Sequence, residues 1–226
     1  MIQNFKLLEK NNLTENVYEM LFQSENKIVM KPGQFITFLL DKIWWRAYSI
    51  LKIEWDKILL IIKKREKIEW WRWWSILICD LNIWETLRWV WPAWHFLLAE
   101  NNKNKLFIWT GTGFVPLWNQ IQWVLELKQD ANIKLLFWVR ESKDLFYEKE
   151  IAKLKNDNKS FDYDIYLSKC DKEWYNKWYT TNYLTKDNCS QFEEFYICWA
   201  PAMIESSVKI LKDLWIDETN IYFEKY

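Results

Sequence analysis

The chain has 226 residues, half of them apolar, with 31 basic against 31 acidic side chains. That length bounds it to one or two domains with a sizeable core, and the charge balance excludes nucleic-acid binding driven by net charge. No apolar run reaches the ~18 residues a membrane span needs. The four cysteines, Cys79, Cys170, Cys189 and Cys198, form no C-x-x-C pair, so no metal or iron–sulfur centre is expected. Residues 1–6 lack a signal-peptide layout, which points to a cytoplasmic, thiol-reduced protein.

In chain order, residues 1–98 read as short strands. Residues 16–22 alternate, 34–40 follow a Pro32-Gly33 turn, and 47–53 with 57–63 make a hairpin pair. Such strands at short spacing predict a small antiparallel barrel or sandwich, with 75–81 as a short covering helix. Residues 100–104 are a polar linker. Beyond it, strands at 105–108, 133–137, 161–167, 194–198 and 220–224 alternate with helices ending near 128, at 143–155 and at 202–214. That alternation predicts an α/β domain with a parallel sheet. The expected division is 1–99 and 100–226.

Glycine and tryptophan are present in unusual amounts: 3 Gly and 19 Trp, where average glycine usage is about 7%. Trp stands where turns want glycine, as in Glu54-Trp55-Asp56-Lys57, Trp109-Thr110-Gly111-Thr112-Gly113, Cys198-Trp199-Ala200-Pro201 and Leu214-Trp215-Ile216. Glycine reaches positive φ and lets a backbone approach a ligand; Trp does neither. The reading is that most of these Trp are glycines in the native protein, from an opal codon decoded as glycine. Trp118 and Trp123, in a helical stretch, are the weakest cases.

Four segments carry chemistry. Arg46-Ala47-Tyr48-Ser49 opens a strand with a phosphate-binding guanidinium, an aromatic face and a hydroxyl. The loop 70–74 and Ser75 precede a short helix, where N–H groups could hold a diphosphate if the loop is glycine-rich. The segment 109–113 follows a buried strand and opens a helix containing Pro116, the layout of a dinucleotide-binding turn. Cys198 to Met203 repeats the strand-to-helix layout.

Together these motifs resemble the ferredoxin–NADP reductase family of flavoproteins along nearly the whole chain. Its R-x-Y-S is similar to Arg46, Tyr48 and Ser49, and its S-x-x-L-x-x-L-x-x-G-[DE] to residues 75–85. Its G-P-x-G-x-F is similar to residues 91–96, G-T-G-x-x-P to 111–116 and G-x-R to 138–140. C-G-x-P-x-M is similar to 198–203 and E-x-Y to 224–226. Nearly every departure is a Trp in a glycine slot.

The resemblance implies an FAD-binding barrel followed by an NAD(P)-binding α/β domain. Hydride would pass from NAD(P)H to the flavin, and electrons onward to a ferredoxin, flavodoxin or other redox protein. Arg46 would bind the FAD diphosphate, with Ala47 beside it; Tyr48 would stack on the flavin and Ser49 hydrogen-bond near its N5. Trp73, Trp74 and Ser75 would hold phosphate, and Ile62, Lys63 and Lys64 would border the adenosine half. Tyr226 would cover the other flavin face. Gly111, Thr112, Gly113, Pro116, Arg140, Trp199, Pro201 and Met203 would contact NAD(P). Cys198 and Glu224, with Ser49 and Tyr226, would line the hydride-transfer site. Ser168-Lys169 is similar to the family's Ser-Arg for a 2′-phosphate and leans toward NADP over NAD, since no acidic residue immediately follows that strand.

Blander readings stand beside these. Residues 63–67 are a solvated basic face, or a patch that steers an acidic acceptor. His95 is structural, and Cys79, Cys170 and Cys189 are inert thiols. A monomer is expected. Competing functions are a flavin or ferric reductase, an electron-transfer subunit of a larger complex, and a Trp-rich binding module. The family's subunits of the complex type often carry a C-terminal cysteine cluster, which this sequence lacks.

Overall fold

The computed structural model describes residues 2–29, 33–40, 44–65, 74–93, 96–127, 131–169, 172 and 174–225. The chain divides into two compact units, Met1–Leu98 and Ala99–Tyr226.

The first unit contains β1 (Ile2–Asn12), β2 (Val17–Ser24), β3 (Phe35–Leu40), β4 (Trp44–Ser49), β5 (Lys52–Glu54), β6 (Lys57–Lys63), α1 (Trp74–Cys79) and β7 (Thr86–Ala93). Every pairing is antiparallel, in the order β4-β3-β7-β1-β2-β6-β5. The two outermost strands, β4 and β5, are joined by Ile50 and Leu51 alone. That short link curls the sheet back on itself as a barrel, one of the two forms the strand spacing allowed and the one the family resemblance implied. Side chains two apart point inward: Phe5 and Leu7, Met20 and Phe22, Ile36 and Phe38, and Ile58, Leu60 and Ile62 form one buried cluster. Phe5 stacks on Trp89 at 4.3 Å, and Phe22 and Phe38 lie 5.7 Å apart.

Strands β1 and β7 are not marked in the sequence. β1 opens on charged and amide side chains, and β7 carries Arg88 and Pro92. The single strand expected at 47–53 is broken, because the Ile50 N–H turns to Gln34 O and the Leu51 N–H to Leu59 O.

The second unit contains β8 (Lys105–Thr110), a 3-10 turn (Gly111–Gly113), α2 (Phe114–Glu126), β9 (Ile133–Val139), a 3-10 turn (Ser142–Asp144) and α3 (Glu148–Asp157). Then come β10 (Phe161–Leu167), β11 (Asn176–Lys177), α4 (Lys186–Cys189), β12 (Glu194–Cys198), α5 (Pro201–Asp213) and β13 (Ile221–Glu224). The sheet is parallel throughout, ordered β11-β10-β9-β8-β12-β13. Every residue of the central β8 is buried, which is why it reads as an unbroken apolar run. The exception at its start, Lys105, is fully buried and donates to Asn101 O at 3.1 Å and Lys103 O at 2.9 Å. Burial pushes its ammonium below its ordinary value, opposed by Glu194 at 3.5 Å.

The helix expected at 143–155 starts later, at Glu148. Glu141 and Asp144 cap a separate 3-10 turn, and Tyr147 sits at φ 61° before the helix.

Among the described residues, seven non-glycine residues have positive φ, and five are Trp: Trp55, Trp84, Trp178, Trp199 and Trp215. Trp215 is the clearest case. After α5, the Ile216 N–H reaches Leu211 O at 3.0 Å and the Trp215 N–H reaches Lys212 O at 2.9 Å. That is the paired hydrogen-bond pattern whose left-handed residue is usually glycine. Trp215 has φ 65° and is 94% exposed, so its indole gains nothing from burial. We predict that Trp215→Gly stabilises the Trp-bearing chain by about 1 kcal/mol in urea unfolding. A loss of stability would contradict the glycine-slot reading of this turn.

Candidate functional site

In the second unit, β8 runs outward through β9 and β10, and the chain then returns to β12 on the other side of β8. The carboxyl ends of β8 and β12 therefore flank a topological switch point, where open parallel sheets bind ligands. Two turns meet there. Gly111 holds φ 52°. A Cβ on Gly113 would lie 2.4 Å from Trp199 Cβ and 2.7 Å from Cys198 O. Only glycine lets the turn after β8 come this close to the backbone after β12.

Helices α2 and α5 start from these turns without side-chain caps. No capping side chain covers either helix start, while the Phe114 N–H donates to Gly111 O and the Met203 N–H to Ala200 O. Pro201 opens α5, where its missing N–H costs nothing. Pro116 is buried in α2 and Met203 is half-buried in α5.

Cys198 is fully buried at the end of β12 and is in no disulfide. Its register neighbours are Trp109 on β8 and Glu224 on β13, and the Trp199 N–H donates to Glu224 O at 3.3 Å. The structure thus brings together Gly111, Thr112, Gly113, Cys198, Trp199 and Glu224. Trp199 and Ala200 are both left-handed, with φ 71° and 54°. The Trp199 ring lies 3.6 Å from a Cβ built on Gly111, so the indole covers the turn that a nucleotide would approach. Trp109 is fully buried with Nε1 lacking a hydrogen-bond partner, a cost of about 1–3 kcal/mol.

Along the same sheet edge, Arg140 follows β9 and is exposed. The ends of β9 and β10 are tied beyond the strands: the Ser168 N–H donates to Val139 O at 3.2 Å and the Lys169 N–H to Arg140 O at 2.8 Å. Glu141, which no sequence motif singles out, sits beside Lys169. Its position one residue after the G-x-R slot is the available signal.

In the first unit, Arg46, Ala47, Tyr48 and Ser49 lie on β4, paired with Phe38, Thr37, Ile36 and Phe35. Arg46 is exposed and Ser49 is buried. Tyr48 packs on Phe38 at 5.8 Å. Burial pushes its phenol well above the ordinary value, with Arg46 opposing, so it remains a neutral O–H. Lys63 is exposed at the end of β6, whereas Ile62 is buried in the barrel core. Lys64 pairs with Asp80 just after α1. The Arg65 N–H donates to Ser75 Oγ at 3.0 Å, drawing the segment after β6 to the start of α1. Trp74 is buried in α1, so its side chain points into the unit. Trp73, Tyr226, His95 and Cys170 lie outside the described residues.

Residues 107–209 match the family described as Oxidoreductase NAD-binding domain. The chain is similar to one component of the Na(+)-translocating NADH-quinone reductase of Serratia proteamaculans, 27% identical over 146 residues. The same component of the Klebsiella pneumoniae enzyme is 29% identical over 146 residues. Each match covers 60% of this chain and 35% of the relative, so the chain spans about a third of the curated relatives' length. In fold it is similar to a cytochrome P450 reductase of Amycolatopsis, with TM-score 0.88 and 19% identity over 100% of this chain and 69% of that one. It is also similar to a ferredoxin NADP+ reductase of Neisseria gonorrhoeae solved with bound FAD and NADP. There the TM-score is 0.79 and the identity 19%, over 99% of this chain and 98% of that one. The two-unit fold, an antiparallel barrel and a parallel α/β unit, is the one these reductases share, as the sequence implied.

The close approach at Gly113 is directly testable. Gly113→Ala must displace backbone at Cys198 O whichever residue occupies 199, and should cost about 1–3 kcal/mol in urea unfolding. A change under half of that would mean the two turns are not rigidly apposed.

Proposed function

We propose that the chain is an NAD(P)H-dependent flavoprotein reductase that passes electrons to a ferredoxin, a flavodoxin or another redox protein. The observation that carries this reading is the pair of strand-to-helix turns at the switch point, fitted so closely that a Cβ on Gly113 has no room. The match of residues 107–209 to an oxidoreductase NAD-binding domain supports it.

The residues fit a dinucleotide. The first turns of α2 and α5, free of side-chain caps, would take its diphosphate. Cys198 and Glu224, neighbours across β12 and β13, would flank the nicotinamide. Both belong to adjacent strands of one rigid sheet, so they would hold the reacting ring in a fixed orientation. In the first unit, Arg46 would bind the FAD diphosphate, and Tyr48 would present a ring face with a neutral hydroxyl. Ser49 and Ser75 would donate hydroxyl hydrogen bonds. Bound flavin supplies the chemistry that links a two-electron donor to one-electron acceptors. What the protein adds is binding, orientation and water exclusion.

The same reading takes most Trp as glycines in the native protein. Five of them at positive φ support it, as does the exposure of Trp55, Trp84, Trp178 and Trp215. Trp89, stacked on Phe5 in the barrel core, gives no such support. A second reading, an electron-transfer component of a larger complex, is favoured by the relatives named as components of an NADH-quinone reductase, of which this chain spans 35%.

The test is expression with glycine at the Trp positions. The expected product is yellow and is bleached anaerobically by NADH or NADPH, and Arg46→Ala weakens flavin retention about tenfold. A folded, colourless product indifferent to both nucleotides would contradict the proposal.

A further inference from the structure

No acidic residue immediately follows β10, where Ser168 and Lys169 stand, but the neighbouring strand end supplies one. Glu141 follows β9, and its carboxylate lies 3.3 Å from Lys169 Nζ and 3.0 Å from Lys143 Nζ. These two pairs hold the carboxyl below its ordinary value, with Lys143 the larger influence and Lys169 next. The apposition is built into the backbone: the Lys169 N–H donates to Arg140 O, and the Ser168 N–H to Val139 O. Glu141 is also fixed locally. Its carboxylate accepts from the Asp144 backbone, and its own N–H donates to Asp144 Oδ2 at 3.3 Å.

We propose that Glu141 makes the crevice select NADH over NADPH, by accepting hydrogen bonds from the adenosine ribose and by neutralising Lys169. This rests on the nucleotide-binding reading above. A dinucleotide with its diphosphate at the turn after β8 extends its adenosine over the ends of β9 and β10. There a free 2′-hydroxyl can donate to a carboxylate, whereas a 2′-phosphate meets like charge. Lys169 resembles a 2′-phosphate ligand when the sequence is read alone. In the structure its ammonium is already paired, and as a point charge it lacks the fork geometry that would compete for phosphate against a fixed carboxylate. Lys143 sits on the far oxygen of Glu141 and holds the carboxylate in place.

The test uses the full chain with glycine at the Trp positions and two probes that need neither flavin nor hydride transfer, 5′-AMP and adenosine 2′,5′-bisphosphate, titrated by calorimetry. That parent chain should bind 5′-AMP the more tightly. Glu141→Gln, which keeps the shape of the side chain, should shift the ratio toward the bisphosphate by about tenfold. Lys169→Ala alone should change bisphosphate binding by less than about threefold, because that lysine is engaged by Glu141. In Glu141→Gln/Lys169→Ala the part of the bisphosphate gain that comes from the freed lysine should be lost, leaving the smaller part that comes from removing the like charge. A ratio unmoved by Glu141→Gln, or a large loss in Lys169→Ala alone, overturns the proposal and leaves the nucleotide site standing. Binding of neither probe by a chain with intact circular dichroism overturns the nucleotide reading along with it.

Discussion

The second unit depends on one close approach, that of the turn after β8 to the turn after β12. A Cβ at position 113 would fall within 2.7 Å of a backbone oxygen, a contact that no side-chain rotation relieves. This fit fixes the start of α2 against the end of β12. It also places Cys198, in register with Trp109 and Glu224, at the end of β12 directly before this contact. The all-buried β8 anchors the arrangement from below, and Lys105 at its start satisfies its ammonium on the carbonyls of the preceding segment.

Backbone conformation also explains why tryptophan is hard to reconcile with this fold, at Trp199 beside that contact and at turns elsewhere. A left-handed residue with a Cβ costs about 1–2 kcal/mol, and five Trp stand there. Four of the five are more than 60% exposed, so burial offsets little of that cost. Trp199 is the fifth, and its ring lies over Gly111 where a nucleotide would come. One substitution, glycine for Trp, relieves the strain and opens the crevice together. The buried Trp89, packed on Phe5, is a reminder that a glycine slot is diagnosed by backbone conformation and not by residue type.

Much of this is legible in the sequence. Glu54-Trp55-Asp56-Lys57 reads as a hairpin turn from its flanking strands, and Trp55 holds φ 59°. The pattern 109–113 reads as a phosphate-type turn because a buried strand precedes it and a helix follows. Other features depend on tertiary pairing and cannot be read locally. Strands β1 and β7 find their identity only against each other and their outer neighbours β2 and β3. Glu141 is singled out by no sequence motif, and its pairing with Lys169 arises because two parallel strands end side by side. The leaning toward NADP comes from Ser168-Lys169 taken alone, and the neighbouring strand end changes the chemistry of that lysine.

The central claim is that the crevice at the carboxyl ends of β8 and β12 is a nucleotide site which glycine completes at position 199. The most direct measurement compares NADH affinity of the Trp199 chain with that of Trp199→Gly under one set of conditions. The account predicts binding tighter by about tenfold or more in the glycine form, roughly 1.4 kcal/mol. Equal affinities, or tighter binding with Trp199 in place, would contradict it.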